Sequence, residues 1–142
     1  MFENMKNLFK SSGSSRCRIL VVEDNELERQ FLKRTLEKDG YRVMLAENGQ
    51  IGFDKATQGE FDLFLLDCEM PVMGGVELCK RLKQNEKTYK IPLIFLTGLD
   101  TPKNIIDCFE GDCENYLSKP ISGKLLVTEI KRILHEHSLT SK

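Results

Sequence analysis

Four short apolar runs set the frame of this chain: Ile19-Leu-Val-Val22, Leu63-Phe-Leu-Leu66, Ile91-Pro-Leu-Ile-Phe-Leu96 and Tyr116-Leu117. Each is of strand length, and the segments between them carry the i, i+3, i+4 apolar spacing of amphipathic helices. Such alternation admits parallel strands joined by right-handed crossovers, with helices on both faces of one sheet. In an open sheet of that kind, ligands bind beyond the C-terminal ends of the strands. That edge would gather Glu23, Asp24, Asp67, Thr97 and Lys119.

The first strand is expected over 17–22. A helix follows with Leu27, Phe31, Leu32 and Leu36 on its inner face. Asn25 and Glu28 have the form of a capping box, with Asn in the usual Ser/Thr place, and Gly40 stands where a C-cap belongs. A second strand over 41–46 carries Arg42, which suggests an exposed edge; a short helix over 50–57 is closed by Gly59. The third strand, 62–66, is apolar on both faces, as a central parallel strand should be. Pro71 and Gly74-Gly75 make a turn whose glycines permit a tight bend. A helix over 76–84 then turns Val76, Cys79 and Leu82 inward. The fourth strand spans 91–96, with Pro92 near its start. Pro102 opens a fourth helix held only by Ile105, Ile106 and Phe109, the least firmly anchored of the set. A fifth strand over 115–117 and a fifth helix over 122–135, burying Leu126, Ile130, Ile133 and Leu134, complete five β-α repeats and a three-layer sandwich.

At 142 residues the chain reads as one domain able to bury roughly two thirds of its unfolded surface. Net charge of −1 shows no electrostatic footprint for nucleic acid, and every apolar run falls far short of the ~20 residues that span a bilayer. No direct nucleic-acid or membrane partner is therefore expected. Residues 1–15, with Ser11-Ser-Gly-Ser-Ser15, read as a flexible tail or linker without the apolar stretch of a secretory signal; 138–142 read as a C-terminal tail. The five cysteines, Cys17, Cys68, Cys79, Cys108 and Cys113, form no CxxC pair. Reduced thiols in a cytoplasmic protein fit them better than a disulfide framework or a zinc site.

The chemistry lies in the strand-end residues. Two carboxylates ~5 Å apart repel by roughly 3 kcal/mol at an effective dielectric near 20. Gathering Glu23, Asp24 and Asp67 thus calls for an offsetting cation. Oxygen-only donors with room for water and phosphate oxygens match Mg²⁺ or Mn²⁺ rather than zinc. Asp24 taken alone reads equally well as a helix cap, and Asp67 alone as a polar strand end; neither reading explains both at one edge. Thr97 can donate to a phosphoryl oxygen and Lys119 can neutralise its charge. Together these residues describe a carboxylate that accepts a phosphoryl group. No glycine-rich phosphate cradle is present, and the acidic loop Glu23-Asp-Asn-Glu26 argues against direct flavin-phosphate or dinucleotide binding.

Four ordered blocks, Ile19-Leu-Val-Val-Glu-Asp24, Leu65-Leu-Asp-Cys-Glu-Met-Pro71 with Gly74-Gly75, Ile94-Phe-Leu-Thr-Gly98 and Asn115-Tyr-Leu-Ser-Lys-Pro120, resemble the receiver domain of two-component response regulators. The resemblance covers about residues 16–137. It implies a flavodoxin-like (βα)5 sandwich with sheet order 2-1-3-4-5. It makes Asp67 the phosphoacceptor, with Mg²⁺ held by Asp24, by Glu23 directly or through water, by Asp67 and by the Glu69 backbone carbonyl. It assigns Lys119 to the phosphoryl oxygen, a cis Lys119-Pro120 peptide, and a switch through Thr97 and Tyr116. The phosphate would come from a histidine kinase or a histidine phosphotransfer protein. The surface of the fourth helix, fifth strand and fifth helix would then read out to a separate output protein or domain. Homodimerisation is common in the family on phosphorylation. Two features depart from the commonest pattern: Gly98 stands where alanine is usual, and Glu69 places a charge near the phosphoryl entrance that would alter the dephosphorylation rate.

Two other functions fit the same fold. One is an interaction module indifferent to phosphorylation; retention of the acids, threonine and lysine favours the switch. The other is an aspartate-nucleophile phosphatase, suggested by Asp67-Cys-Glu69, but there is no room for the cap domain such enzymes use. The expected protein is not an enzyme beyond slow self-dephosphorylation.

Overall fold

The computed structural model describes residues 17–68, 70–98 and 115–140. Its elements are β1 (Arg18–Val22), α1 (Glu26–Lys38), β2 (Arg42–Ala46), α2 (Gly49–Gln58), β3 (Leu63–Leu66), α3 (Gly75–Lys83), β4 (Leu93–Thr97), β5 (Asn115–Ser118) and α4 (Gly123–Thr140). The expected helix after Pro102, with Ile105, Ile106 and Phe109, lies outside the described residues, as do Glu69, Cys108, Cys113 and the N-terminal 16 residues.

All strand pairs are parallel, in the order β2-β1-β3-β4-β5, so the expected flavodoxin-like sheet order is what the chain adopts. Side chains alternate across each strand, and here both sides are apolar. Ile19, Val21, Leu63, Leu65, Ile94 and Leu96 face Leu32 and Leu36 of α1 and Leu126, Ile130 and Ile133 of α4. Leu20, Val22, Phe64, Leu66, Leu93 and Phe95 face Ala56 of α2 and Leu78, Cys79 and Leu82 of α3. Ile19–Val22 are wholly buried, as expected of a strand covered by helices on both sides. Each such Leu or Ile contributes about 1.5–3 kcal/mol on burial, which is why the three central strands tolerate almost no polar residue before their ends.

α1 starts on Asn25, whose Oδ1 accepts from the Glu28 N–H at 2.9 Å. It ends in a Schellman motif: Gly40 N–H donates to Glu37 O and Tyr41 N–H to Leu36 O, with Gly40 at φ 96°. Gly40 is thus the residue after the cap, and Asp39 is the cap itself. Leu27 departs from its expected inward place and is 81% exposed, with Phe31 at 39%. The buried stripe of α1 narrows to Leu32 and Leu36 because, at about 3.6 residues per turn, Leu27 lies about 140° and about 180° around the helix axis from them, on the face turned away from the sheet.

Other boundaries shift by local chemistry. Asn48 caps α2 through the Ile51 N–H at 2.9 Å, starting it at Gly49. In α3, Leu78 is fully buried and Val76 only half so, which rotates the expected inner face. Pro92 precedes β4 rather than sitting in it, and its carbonyl accepts from Phe64 N–H at 3.0 Å. β2 is at one edge of this sheet, with Arg42 exposed as its charge suggested. α4 runs on to Thr140, into the stretch expected as a tail. Among the described residues no helix is long and apolar enough to cross a membrane.

Candidate functional site

The sheet register builds the site. Val22 pairs with Leu66 across β1 and β3. The next residue of each strand, Glu23 and Asp67, therefore emerges at the same level. Their backbones stay tied to the sheet: Asp67 N–H donates to Val22 O at 2.9 Å and Glu23 N–H to Ala46 O at 3.0 Å. Both side chains are buried, Glu23 2% and Asp67 8% exposed, while Asp24 is exposed. One oxygen from each of Glu23, Asp24 and Asp67 lies within 4.8 Å of the others.

Lys119 reaches this cluster from the loop after β5. Thr97 pairs with Ser118 at the last rung of β4 and β5, so Lys119 leaves the sheet at the same edge. Its Nζ donates to Glu23 Oε1 at 2.8 Å and to Glu28 Oε2 at 3.1 Å, and lies 3.7 Å from Asp67 Oδ1. The Lys119-Pro120 peptide is cis. Tyr116 is level with Phe95, two positions before Ser118, and packs half-buried on the α2–α3 side of the sheet. Thr97 closes β4.

One ammonium therefore serves three carboxylates: Glu23, Asp67 and, from α1, Glu28. Burial drives the Asp67 pKa up to about 7, and the charge of Glu23 adds to it. Lys119 pulls the other way without prevailing, and the charge and hydrogen bond of Asp24 raise it further. Burial likewise raises Glu23, against the opposing hydrogen bonds from Lys119 and the Asn25 N–H. For Lys119, burial acts to lower the pKa, but the hydrogen bond to Glu23 and the charge of Asp67 lead the effects that carry it above its usual value. An acidic cluster held this far from its preferred ionisation is short of positive charge. Three hard oxygen donors at this spacing fit a small divalent cation such as Mg²⁺.

Asp24 is not the helix cap; Asn25 is, which leaves the Asp24 carboxylate available. Asn25 and Glu28 form only half of the expected capping box. Asn25 N–H donates to Glu23 Oε2 at 3.1 Å, so the Glu28 carboxylate has no backbone donor to return to and turns to Lys119 instead. Two further residues support the site without having been legible as part of it. Arg29 Nη1 donates to the carbonyls of Glu23 at 2.9 Å and Asp24 at 3.1 Å, pinning the acidic loop. Its only sequence signal is a cation near a helix N-terminus, where the dipole disfavours one. Gly75 packs against the Asp67 carbonyl so closely that a Cβ there would collide with Asp67 O. The glycine is needed for that approach rather than for φ; the positive φ of the turn falls instead on Val72, at 73°.

Comparison with known proteins agrees with this geometry. The family model described as the response regulator receiver domain matches residues 19–131. The chain is 34% identical over 128 residues to the transcriptional regulatory protein ResD of Bacillus subtilis (strain 168), a match covering 90% of this chain and 52% of ResD. The chain spans about half the length of the curated relatives it matches. Among solved structures it is similar to a CheY-like response regulator receiver domain protein from Methanospirillum hungatei JF-1. That likeness has a TM-score of 0.80 and 29% identity, covering 86% of this chain and 96% of the other. It is also similar to the receiver domain of a sensor histidine kinase from Pseudomonas aeruginosa PAO1, solved with a magnesium ion coordinated in its active-site cleft. There the TM-score is 0.75 and the identity 29%, with 84% and 95% covered.

Proposed function

This chain belongs to the response regulator receiver domain family, a family of signalling domains of two-component systems, and from that premise we propose that Asp67 accepts a phosphoryl group and thereby switches an output surface. The observation that carries the reading is the meeting of Lys119 Nζ, 3.7 Å from Asp67 Oδ1, with three carboxylates whose ligand atoms share a 4.8 Å neighbourhood.

Bound Mg²⁺ would supply the charge that lets Asp67 ionise and that screens an incoming phosphate. Glu23, Asp24, Asp67 and the Glu69 carbonyl are the residues assigned to hold it, or Mn²⁺ in its place. An Asp67 carboxylate oxygen then bonds to phosphorus as the phosphorus–nitrogen bond of a phosphohistidine breaks, and the imidazole leaves. The donor is a histidine kinase or a histidine phosphotransfer protein. Lys119 follows the charge onto the phosphoryl oxygens, and Thr97 donates its hydroxyl to the same group. Withdrawal of Thr97 towards the phosphate frees space for Tyr116, and the pre-existing inactive–active equilibrium shifts. The change is read by an output protein or domain, in the cytoplasm, at the surface of β5, α4 and the segment between β4 and β5; a phosphorylation-promoted homodimer is one form it takes. The domain is not an enzyme beyond slow self-dephosphorylation.

The test is addition of Mg²⁺ and beryllofluoride, followed by amide NMR, with Asp67→Asn as the control. Saturable shifts in the parent and none in the variant are expected. Shifts in neither would leave an interaction module indifferent to phosphorylation as the better account.

A further inference from the structure

Glu28 makes a contact that the phosphoacceptor reading does not use. Its carboxylate, carried on α1, holds the Lys119 ammonium at 3.1 Å, closer than Asp67 Oδ1 at 3.7 Å. Glu28 is not fixed there by helix capping, since its backbone N–H is what Asn25 caps and the reciprocal donor is taken by Glu23. Nor is it fixed by burial: its side chain is 43% exposed, against 17% for Lys119, and both line an open cleft of 270 Å³ with Phe31, Leu32 and Ile121. Among the described residues two carboxylates hydrogen-bond Lys119; Glu23 belongs to the candidate cation cluster and Glu28 does not. When a cation engages Glu23, Glu28 is left as the competitor for the ammonium.

We propose that Glu28 is a positioning residue that tethers Lys119 away from the phosphoryl position, so that the phosphorylated state forms only after Lys119 is released from it. This rests on the phosphoacceptor reading of Asp67. Two effects act in the same direction. Glu28 holds a hydrogen bond that Lys119 must give up, and its charge opposes the arrival of a phosphoryl dianion nearby. Glu28 thus sets how readily the active state is reached, without touching the phosphoryl group or the cation.

Beryllofluoride affinity at saturating Mg²⁺ measures this directly. Glu28→Gln and Glu28→Ala are expected to tighten it by about three- to tenfold, the range for one partly exposed charge-assisted hydrogen bond. Glu26→Gln, one charge removed from the same helical turn, should leave it unchanged. The gain should vanish when Lys119 is replaced by Gln, and the Lys119 side-chain ¹⁵N resonance of the free protein should move in Glu28→Gln. Binding by the parent with no gain in the Glu28 variants overturns the tether and leaves the phosphoacceptor reading standing. So does an equal gain in Glu26→Gln, or a gain that survives Lys119→Gln. Failure of the parent to bind beryllofluoride overturns both.

Discussion

Asp67 Oδ1 and Lys119 Nζ stand 3.7 Å apart, an ion pair but too long for a hydrogen bond. The distance reflects competition, since Glu23 and Glu28 hold the same ammonium at 2.8 and 3.1 Å. Burial and the charge of Glu23, which the divided lysine does not offset, keep a proton on Asp67 up to about pH 7. Between the ordinary aspartate value of 3.8 and about 7, the folded chain keeps a proton that the unfolded chain has lost. By linkage, a raised carboxyl pKa makes stability fall as pH rises through that window, the reverse of the usual salt-bridged carboxylate. Asp67→Asn should therefore be more stable than the parent at neutral pH, by on the order of 2 kcal/mol. The difference should shrink towards pH 4. Urea midpoints of both proteins without divalent cation check this; a difference independent of pH would contradict it.

Divalent cation should relieve the same strain. At ten times its dissociation constant, Mg²⁺ is expected to stabilise the fold by about 1.4 kcal/mol. The affinity should be higher near pH 7.5 than near pH 5.5, where the proton on Asp67 competes. Asp24→Asn should weaken binding at both. Thermal melts against Mg²⁺ concentration, with Ca²⁺ for comparison, measure it.

Gly75 is the steric partner of the phosphoacceptor's backbone. Gly75→Ala places a Cβ against Asp67 O and within 3.0 Å of the Cys68 Cα, both parts of the main chain that cannot rotate aside. We expect a loss of about 2 kcal/mol and weaker beryllofluoride binding, because relief of the clash moves Asp67. Denaturant melts and the binding titration report the two losses separately.

Val72 carries the opposite kind of error. It is 81% exposed and sits at φ 73°, a region in which a β-branched side chain is strained. Val72→Gly should stabilise the fold by about 1 kcal/mol, and Val72→Asn by a part of that, read as a rise in the urea midpoint.

On α1 two leucines should behave differently. Leu36→Ala empties a fully buried site and should cost about 2–5 kcal/mol. Leu27→Ala, at an exposed site, should stay within about 0.5 kcal/mol of the parent. Equal losses at both positions would mean that Leu27 is covered in solution.

What the sequence determined by itself is local chemistry repeated in order. Runs such as Ile19–Val22 and Leu63–Leu66 are apolar at every position and of strand length, which suits strands covered on both faces. Asn25 and Gly40 announce the two ends of α1, and an acid, a threonine or a lysine after each run marks the working edge. Tertiary structure alone decided which partners those polar groups took. Glu28 reads as half of a capping box because that pairing is three residues long and visible in sequence. It bonds Lys119, 91 residues away, because the sheet register lifts Glu23 into the place where Asn25 N–H needs an acceptor. Leu27 is i−4 to Phe31 but lies about 180° around the helix from Leu36, so it faces away from the sheet that Leu36 meets. Periodicity states which way a side chain points along its own axis; only packing supplies what is there to meet it, and at this edge the distances of the Lys119 ammonium to three carboxylates express that packing.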